Sequence, residues 1–584
     1  MSSSSTSCSR PSPIPATGLV IGWLGSMALG VLLAACGGGG GSSGSQPHVT
    51  YTIGGTVVGL ISGSSVTLAN SNGDSLAVST ASFVLPTALA TGSSFDVTVL
   101  VQPPNQTCVA SDNAGSVTSA NVTNVLITCK TPTFTIGGIV YGLATGGSVV
   151  LLNNGADPLT VTSNSSFTFA TAIPRLSGYS VSVGTQPQGQ TCTVNYASGG
   201  GVIQDMNSVI VQCATETVLW SFGSGVDGIT PWGGLIEGSD GAFYGTTNAG
   251  GTFGQGTVYR ITSAGQETVV WNFGSGSDGA GPYGALVVGT DGNFYGTTYS
   301  GGTQGFGTVY RLTPSGLETV LWNFGTSAND GQNPRAGLIQ ATDGNFYGTT
   351  MNGGAAGYGT VFTVTAGGAE TVLWSFGVTA GDSQNPFAPL LQASDGNFYG
   401  TSVYGGASGS GSAFEVAAAG SETMIWSFSV GTIVMEDGFA PDAPLIEGND
   451  GYLYGTTYGG GDTSGTVFRL PLTQGPIVGG PAYETVTYRF GASGPTDGVG
   501  PQAALIIGSD GNFYGTTSFG GAYQGGTAFV LTSGGIESVL WNFGSSADAQ
   551  DIQAPLLQAS DGAFYGVSLH GGSSNKGAVF RLSQ

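Results

Sequence analysis

Short stretches of alternating apolar and polar residues recur from residue 216 to the C-terminus, with a period of about fifty residues. In the copy at 282–324, an apolar run at 286–288 precedes Asp291-Gly292, and runs at 294–298, 308–312 and 318–324 follow. Glycine-rich segments and turns separate these runs. Runs of this length, bounded by Gly and Asp, are typical of β-strands. Each copy therefore predicts four short strands, the content of one blade of a β-propeller.

The number of copies predicts the size of the ring. The first copy has only a fourth strand, at 216–222, whereas the final copy ends after its third strand, at 578–582. We therefore predict an all-β, seven-bladed propeller closed by pairing of these two segments, because an open sheet edge exposes unpaired backbone groups. The seven turns and the seven fourth strands begin at Asp240, Asp291, Asp343, Asp395, Asp450, Asp510 and Asp561, and at Glu216, Glu267, Glu318, Glu370, Glu422, Glu484 and Glu537.

Most of the regularity within a copy is attributed to packing. Val320, Trp322 and Phe324 alternate along one strand, so they are predicted to share a face. The tryptophans at this position are interpreted as packing between neighbouring blades, with a row of sugar-binding rings as the alternative. The Asp-Gly pairs are interpreted as type I′ turns, which need positive φ, with calcium ligation as the alternative.

The charge of the chain limits its partners. There are 33 acidic and 10 basic residues, and the net charge is −23. No basic stripe is present to displace counterions from phosphates, so nucleic acid is not a predicted partner. The two histidines, His48 and His570, belong to no recognisable catalytic triad, and we therefore do not predict an enzyme. Glycoside cleavage by paired carboxylates stays an alternative, because a sequence does not show their separations.

Residues 52–131 and 132–214 are two copies of a different pattern. Val, Thr and Ser alternate without a helical period, which predicts two small β-sandwiches. Cysteines at matching positions predict one disulfide in each copy, Cys108 with Cys129 and Cys192 with Cys213. Free buried thiols are the alternative; zinc is disfavoured because no C-x-x-C pair or nearby His is present. Both copies resemble the prealbumin-like or immunoglobulin-like stalk modules of bacterial surface proteins.

The N-terminal segment is interpreted as a targeting signal. Residues 18–35 are largely apolar, end in Leu33-Ala34-Ala35 and are followed by Cys36 and five glycines. This resembles a bacterial lipoprotein signal peptide at 1–35, after which Cys36 is lipidated and 36–51 form a tether. The resemblance implies a lipoprotein of the bacterial cell envelope, sorted to the outer membrane because Gly37 follows the cysteine. An uncleaved membrane helix is the alternative.

The residues of the repeat also resemble a known family. The run at 291–298, Asp-Gly-Asn-Phe-Tyr-Gly-Thr-Thr, and the run at 307–312, Gly-Thr-Val-Tyr-Arg-Leu, are similar to the GloVer (Gloeo/Verruco) tandem repeat of bacterial surface proteins. The order of strands and turns is similar to that of NHL-type propellers. The resemblance covers 215–584 and implies a surface propeller of no established activity. Val567-Ser568 in place of Thr-Thr, and Tyr488 in place of Trp, depart from the pattern.

The loops after the second and fourth strands are predicted to open on one face. One set of loops contains Asp followed by Gly, and the other contains Gly-Gly beside an aromatic ring. Carboxylates and rings around a concave mouth can hold a polysaccharide, or a cation such as calcium. The alternative is that Asp only shapes these loops through Asx-turns. The candidate binding face comprises Asp227, Asp278, Asp330, Asp437, Asp497, Tyr299, Tyr404, Tyr458 and Phe519.

These observations rank three functions. A membrane-anchored binding or display scaffold, for polysaccharide or protein, is predicted first, because a catalytic site normally interrupts a repeat with residues unique to one or two copies. A purely structural component of the envelope is second, and a polysaccharide-active enzyme is third. No cofactor is predicted beyond the calcium alternative.

Overall fold

The computed structural model describes residues 48–429, 438–460, 464–472, 484–492, 494, 496–545 and 548–583. These residues form strands, turns and loops, with no helix among them, so the all-β prediction is confirmed. The chain divides into two compact units, Met1–Lys130 and Thr131–Gln584. Cys36 and the predicted signal segment lie outside the described residues.

The first unit contains two four-stranded sheets around one apolar core. Alternate residues of the strands point inward, among them Ile53, Leu68, Val97 and Ile127, all fully buried. The predicted disulfide Cys108–Cys129 is confirmed and joins register partners on adjacent strands. In sheet order the strands are Ser82–Val84, Ile53–Val58, Val122–Lys130 and Thr107–Ser111, and Ser75–Val78, Val66–Asn70, Ser94–Val101 and Ala114–Ser116, with Thr50–Tyr51 paired to Leu89–Ala90.

The second unit begins with a copy of the same arrangement. The disulfide Cys192–Cys213 is confirmed at the matching position. One sheet, in order, is Ala156–Val161, Val149–Asn153, Tyr179–Thr185 and Ser198–Gly199. The other contains Ser166–Thr168, Ile136–Tyr141, Met206–Ser221 and Thr191–Asn195, and Thr133–Phe134 pairs with Ile173–Pro174.

The rest of the second unit is a series of antiparallel four-stranded sheets. In one repeat, Val287–Val288, Phe294–Thr298, Thr308–Leu312 and Glu318–Asn323 pair in chain order. The second strand is buried along its whole length, which explains its apolar and hydroxyl-bearing composition without charge. The other first strands are Ile236–Glu237, Ile339–Gln340, Leu391–Gln392, Ile446–Glu447, Ile506–Ile507 and Leu557–Gln558; the second, Phe243–Thr247, Phe346–Thr350, Phe398–Ser402, Tyr452–Thr457, Phe513–Thr517 and Phe564–Ser568. The third are Thr257–Ile261, Thr360–Val364, Ser412–Val416, Thr466–Pro471, Thr527–Leu531 and Ala578–Ser583; the fourth, Glu267–Asn272, Glu370–Ser375, Glu422–Ser427, Thr485–Arg489 and Glu537–Asn542.

The loops after the second and fourth strands meet, as predicted. A two-residue strand from each loop pairs with its counterpart in every repeat, so both loops lie on one face, here called the loop face. The pairs are Gly228–Ile229 with Ala249–Gly250, Gly279–Ala280 with Ser300–Gly301, Gly331–Gln332 with Asn352–Gly353, Ser383–Gln384 with Tyr404–Gly405, Gly438–Phe439 with Gly459–Gly460, Gly498–Val499 with Phe519–Gly520, and Ala549–Gln550 with His570–Gly571.

The Asp-Gly turns differ from the prediction. Only the glycine of the pair has positive φ, 78° at Gly292, and its N–H bonds the carbonyl of Gly289. This is a three-residue hairpin loop and not a type I′ turn, which needs two positive φ values. The Asp291 carboxylate accepts hydrogen bonds from Asn293 N–H and from the Tyr295 hydroxyl, at 3.0 and 2.8 Å. The aspartate therefore ties the turn to the second strand.

A β-bulge in the fourth strand corrects a second prediction. Val309 pairs with Trp322, but the next residue, Tyr310, pairs with Val320, so Leu321 is the extra residue. Because the bulge shifts the alternation by one residue, Val320 and Trp322 face opposite sides of the sheet. Trp322 packs against the interface between repeats as a partly buried ring, whereas Phe324 is fully buried.

Successive repeats pack through aromatic side chains of their second strands. Tyr295 stacks on Phe346 of the next repeat with ring centroids 3.9 Å apart, and Tyr347 stacks on Phe398 at 4.1 Å. The final repeat makes the equivalent contact with the first, because the Tyr565 and Phe243 centroids are 4.1 Å apart. The core cluster there mixes residues of both repeats.

The 16-residue strand Met206–Ser221 connects the two parts of the second unit. Up to Ala214 it pairs with the preceding copy, and from Thr215 to Ser221 it pairs with Ala578–Ser583 at the C-terminus. The predicted pairing of the orphan fourth strand with the terminal third strand is therefore observed.

The copy at 132–214 also packs against the repeats. Thr193 Oγ1 donates to the Val539 carbonyl at 2.8 Å, and Val539 N–H donates to Asn195 Oδ1 at 3.0 Å. The Tyr196 hydroxyl bonds the Glu537 carbonyl at 3.1 Å. The free edge of the strand Glu537–Asn542 is thus covered, and the copy is fixed to one repeat.

Candidate functional site

The described aspartates of the predicted binding face lie beneath the loops. Asp227, Asp278, Asp330 and Asp497 are 3–8% exposed. Asp227 accepts hydrogen bonds from Gly223 N–H at 3.1 Å and from Trp220 Nε1 at 3.3 Å, and Gly491 N–H donates to Asp497 at 2.7 Å. These contacts fix the loop that follows each fourth strand, as in the alternative interpretation. Asp437 lies outside the described residues.

Each of these aspartates faces the glutamate that begins the fourth strand of the same sheet. The Tyr488 hydroxyl lies 2.8 Å from Asp497 Oδ2 and 3.3 Å from Glu537 Oε2. Burial, and then the charge of Asp497, raise the pKa of Glu537 to about 8. Glu216 faces Asp548, and burial followed by that neighbour raises its pKa to about 8. The same causes raise the pKa to about 7 at Glu267, Glu318, Glu370 and Glu422.

The predicted aromatic residues do lie on the loop face. Tyr404, Tyr458 and Phe519 are 41–53% exposed. Tyr299 is half-buried and makes an edge-to-face contact with Tyr283, with centroids 5.4 Å apart. Tyr283 lines a cavity that the sequence analysis did not identify.

This cavity has a volume of about 130 Å³ and is built from one side chain of each repeat. Each comes from the position just before the first strand, and in six repeats that position follows a proline. Small residues come next: a Cβ at Gly284 would collide with the backbone of Gly337 in the neighbouring repeat. The seven side chains therefore converge on one mouth while the backbones stay close. They are Trp232, Tyr283, Arg335, Phe387, Asp442, Gln502 and Gln553, and they are called the mouth residues below.

Arg335 is the cation of the mouth. Its guanidinium carbon lies 4.4 Å from the ring centroid of Phe387, 5.3 Å from that of Trp232 and 5.9 Å from that of Tyr283. Burial raises the pKa of Asp442, and the charge of Arg335 offsets part of that rise. Three rings, one cation and one carboxyl group thus meet at the same place.

The two glutamines are held by polar residues of the loop face. Gln502 Oε1 accepts a hydrogen bond from the Ser518 hydroxyl at 2.9 Å. Gln553 Nε2 donates to Asp551 at 2.9 Å, and His570 Nδ1 lies 3.1 Å from the other oxygen of that carboxylate. These bonds orient both amides. The shared carboxylate of Asp551 also places His570, one of the two histidines of the sequence, next to the mouth residue Gln553.

The mouth residues escaped the sequence analysis because their identities vary. Repeats were recognised by residues that recur, such as Asp291-Gly292 and the tryptophans, and recurring residues here serve turns and packing. The signal in the sequence was variation and not recurrence. One position, which usually follows a proline, holds a different large or polar side chain in nearly every copy. Variation at a fixed position indicates a surface where packing does not dictate the residue.

Among the described residues, no group of three or more His, Cys, Asp or Glu side chains is arranged to hold a metal ion. Within the same residues, no helix is long and apolar enough to cross a membrane.

Solved structures similar to this chain share little sequence with it. A streptogramin B lyase is 13% identical with a TM-score of 0.41, covering 63% of this chain and 97% of its own. Virginiamycin B lyase from Staphylococcus aureus is 14% identical with a TM-score of 0.41, covering 64% and 99%. The gluconolactonase XC5397 from Xanthomonas campestris is 10% identical with a TM-score of 0.32, covering 62% and 98%. No curated protein matches the sequence.

A family model matches the sequence directly. The model described as the Gloeobacter/Verrucomicrobia repeat matches residues 136–342, 180–387, 319–491 and 437–584. The matches overlap and together span well over half of the chain, which confirms the resemblance found in the repeat. The chain belongs to the Gloeobacter/Verrucomicrobia repeat family.

Proposed function

We propose that the repeats form one seven-bladed propeller, closed by the pairing of Met206–Ser221 with Ala578–Ser583. Support comes from that pairing and from the aromatic contact of the last repeat with the first. Phe243 contacts Tyr565 in the way that Phe346 contacts Tyr295 in two consecutive repeats. Closure leaves no unpaired edge between the first and last repeats. The two copies at 52–131 and 132–214 are proposed to be small disulfide-bonded β-sandwiches that precede the ring.

Within this ring, the proposed function is ligand binding at the mouth. The observation that carries it is the contrast between equivalent backbone positions and different side chains: seven repeats contribute Trp, Tyr, Arg, Phe, Asp, Gln and Gln to one cavity. Concave sites lined by aromatic rings and a few converging polar groups are the usual form of small-ligand sites. A purely structural ring has no need for this variety, since a repeated small residue would serve at each position.

The proposed function also includes display at the bacterial cell envelope, with the lipid on Cys36 as the anchor. The support is the sequence motif at 33–36 with the glycine tether behind it. In cells grown with a radioactive fatty acid, we expect the protein to be labelled and the variant Cys36→Ser to lose the label. Labelling that persists in the variant would contradict the anchor.

The binding function is tested on the purified full chain with a panel of neutral, amino and acidic polysaccharides. A ligand that binds only the folded state raises the unfolding temperature, and the rise grows with ligand concentration. Tyr283→Ala is expected to weaken binding about tenfold, or ~1.4 kcal/mol. Tyr523→Ala removes an exposed tyrosine of the loop-face loops that does not line the cavity, and serves as the matched control.

The outcomes separate the alternatives. Binding that Tyr283→Ala weakens and Tyr523→Ala does not supports a site at the mouth. Absence of any shift over the whole panel favours the structural role. Turnover of a polysaccharide, lost on replacing Asp442 or His570, would favour an enzyme.

A further inference from the structure

Arg335 lines the cavity beside three aromatic rings. Rings of Phe387, Trp232 and Tyr283 lie within 6 Å of its guanidinium carbon, and Phe387 is the nearest at 4.4 Å. Aromatic rings interact with the flat face of a guanidinium, so its N–H donors, which lie in the plane, are left for other partners. Within the part of the chain that the structure describes, no protein acceptor forms a hydrogen bond or ion pair with Arg335.

Other arginines of the repeats are used differently. Arg260 pairs with Asp240 at 2.7 Å, and Arg581 pairs with Asp561 at 3.2 Å. Both lie at the Asp-Gly turns, on the face opposite the loop face. Arg335 is thus an arginine held in place by aromatic packing while its donors stay unused. A planar fork of N–H groups matches a carboxylate, which can accept two parallel hydrogen bonds.

The other mouth residues offer both donors and acceptors. The Gln553 amide nitrogen is bonded to Asp551, so its oxygen is left to accept. The Gln502 oxygen is bonded to Ser518, so its NH₂ group is left to donate. The Asp442 carboxyl group lines the same space. Such mixed polarity suits hydroxyl groups, which donate and accept, and the rings of Trp232 and Tyr283 suit the C–H face of a sugar.

The cavity, of about 130 Å³, is lined by one side chain of each repeat and is open on one side. The terminal residue of a polysaccharide can enter from that side. Arg335 contributes a planar guanidinium to the lining, and such a group can hold one carboxylate through two parallel hydrogen bonds.

We infer that the mouth binds a carboxylated sugar, a hexuronate at the end of an acidic polysaccharide, with its carboxylate on the edge of Arg335 and its hydroxyls on Gln502, Gln553 and Asp442. This inference rests on the proposed binding function and specifies its ligand. It makes Arg335 the residue that distinguishes an acidic sugar from the neutral sugar of the same configuration.

The experiment is a calorimetric titration of the full chain with galacturonate and glucuronate oligosaccharides, with their methyl esters, and with the neutral galactose and glucose oligosaccharides. We expect the free acids to bind at least tenfold more tightly than the esters and the neutral sugars. Arg335→Gln should abolish this preference. Arg335→Lys should also lose most of it, because a lysine keeps the charge but not the fork. Arg260→Gln, which removes an arginine from the other face, should keep it.

Each result of the titration supports or overturns a specific part of the inference. Equal affinity for acid, ester and neutral sugar would overturn the role of the carboxylate and leave sugar binding intact. Binding of a different class of glycan, weakened by Tyr283→Ala, would overturn the hexuronate and leave the proposed function standing. Failure of every glycan to bind would overturn both. Unfolding temperatures of the variants within a few degrees of the parent establish that a lost preference is not lost folding.

Discussion

The carboxylate of Glu237, in the first repeat, accepts a hydrogen bond of 2.9 Å from the backbone N–H of Ser560, in the last, and a second from the Ser560 hydroxyl. The same pair of bonds joins Glu447 to Ser394, in neighbouring repeats in the middle of the chain, with 2.7 Å to the N–H. Gln340, Gln392 and Gln558 make the equivalent contact elsewhere. The contact between Glu237 and Ser560, which are 323 positions apart, is therefore equivalent to a contact between two consecutive repeats.

Glu237→Ala and Glu447→Ala form a matched test of ring closure. If the first and last repeats are neighbours, both substitutions remove the same two hydrogen bonds and each should lower the free energy of unfolding by about 1 kcal/mol. Urea denaturation of the two variants measures this. In an open arrangement Glu237→Ala would be neutral while Glu447→Ala kept its cost, and that inequality would contradict closure.

The paired carboxyl groups predict a dependence of stability on pH. The folded protein keeps a proton on Glu537 up to about pH 8, whereas an unfolded glutamate releases it near pH 4.5. The folded state therefore binds more protons between these values, and the free energy of unfolding falls as pH rises through that window. Glu216, Glu267, Glu318, Glu370 and Glu422 act in the same direction.

Glu537→Gln isolates one of these protons. The groups facing Glu537 are Asp497, Tyr488 and Tyr196. An amide does not titrate, so the variant should lose stability less steeply between pH 5 and pH 8, by up to ~1.4 kcal/mol per pH unit, the value for one proton. Asp205→Asn removes an equal charge from a group whose pKa is lowered by hydrogen bonds to Thr135, and its slope should equal that of the parent. Identical slopes in all three proteins would contradict the prediction.

The junction between the copy at 132–214 and the repeats predicts a third result. Asn195→Ala leaves the Val539 N–H without its acceptor at a position that is 7% exposed. An unsatisfied buried donor costs about 1–3 kcal/mol, so the variant should be destabilised by that amount. Faster hydrogen exchange at Val539 measures the local effect. Ser111→Ala, at the corresponding position of the first copy, controls for the substitution itself, and unchanged exchange at Val539 would contradict the assigned contact.

Periodicity predicted the strands well because strand, turn and core positions are set by local chemistry. Asp291-Gly292 marks a turn, and the run at 294–298 is a strand, as expected. The failures are non-local. The bulge at Leu321 places Val320 and Trp322 on opposite faces of the sheet, and nothing in the alternation of the fourth strand indicates an extra residue. The burial of Asp227 follows from Trp220 and Gly223 closing over it, which the composition of a loop does not reveal.

The mouth was missed for a related reason. Trp232 and Arg335 are more than a hundred positions apart, and each looks like a departure from a repeat. Only the arrangement of the repeats brings them within 5.3 Å. The aromatic part of the predicted face was nearer to the site: Tyr299, read from its own loop, touches Tyr283 in the wall of the cavity. A sequence with seven copies thus predicts the scaffold that the copies share better than it predicts a site at which they differ.

Val567 is a position where the final repeat lacks a hydroxyl that the other repeats carry in the second strand. In other repeats a threonine of the second strand donates to a carbonyl of the next repeat, as Thr516 Oγ1 does to Ala554 at 3.2 Å and Thr297 Oγ1 to Ala336 at 2.7 Å. Thr516→Val should cost about 1–2 kcal/mol, since it removes a buried hydrogen bond. Val567→Thr places a hydroxyl at the equivalent position, where by analogy the carbonyl of Gly233 in the first repeat is the acceptor, and its cost should be below about 1 kcal/mol if that acceptor is in reach. Urea denaturation of both variants measures the difference. A loss of more than about 2 kcal/mol for Val567→Thr, the cost of burying an unpaired hydroxyl, would mean that the interface between the last and first repeats lacks the geometry of the others.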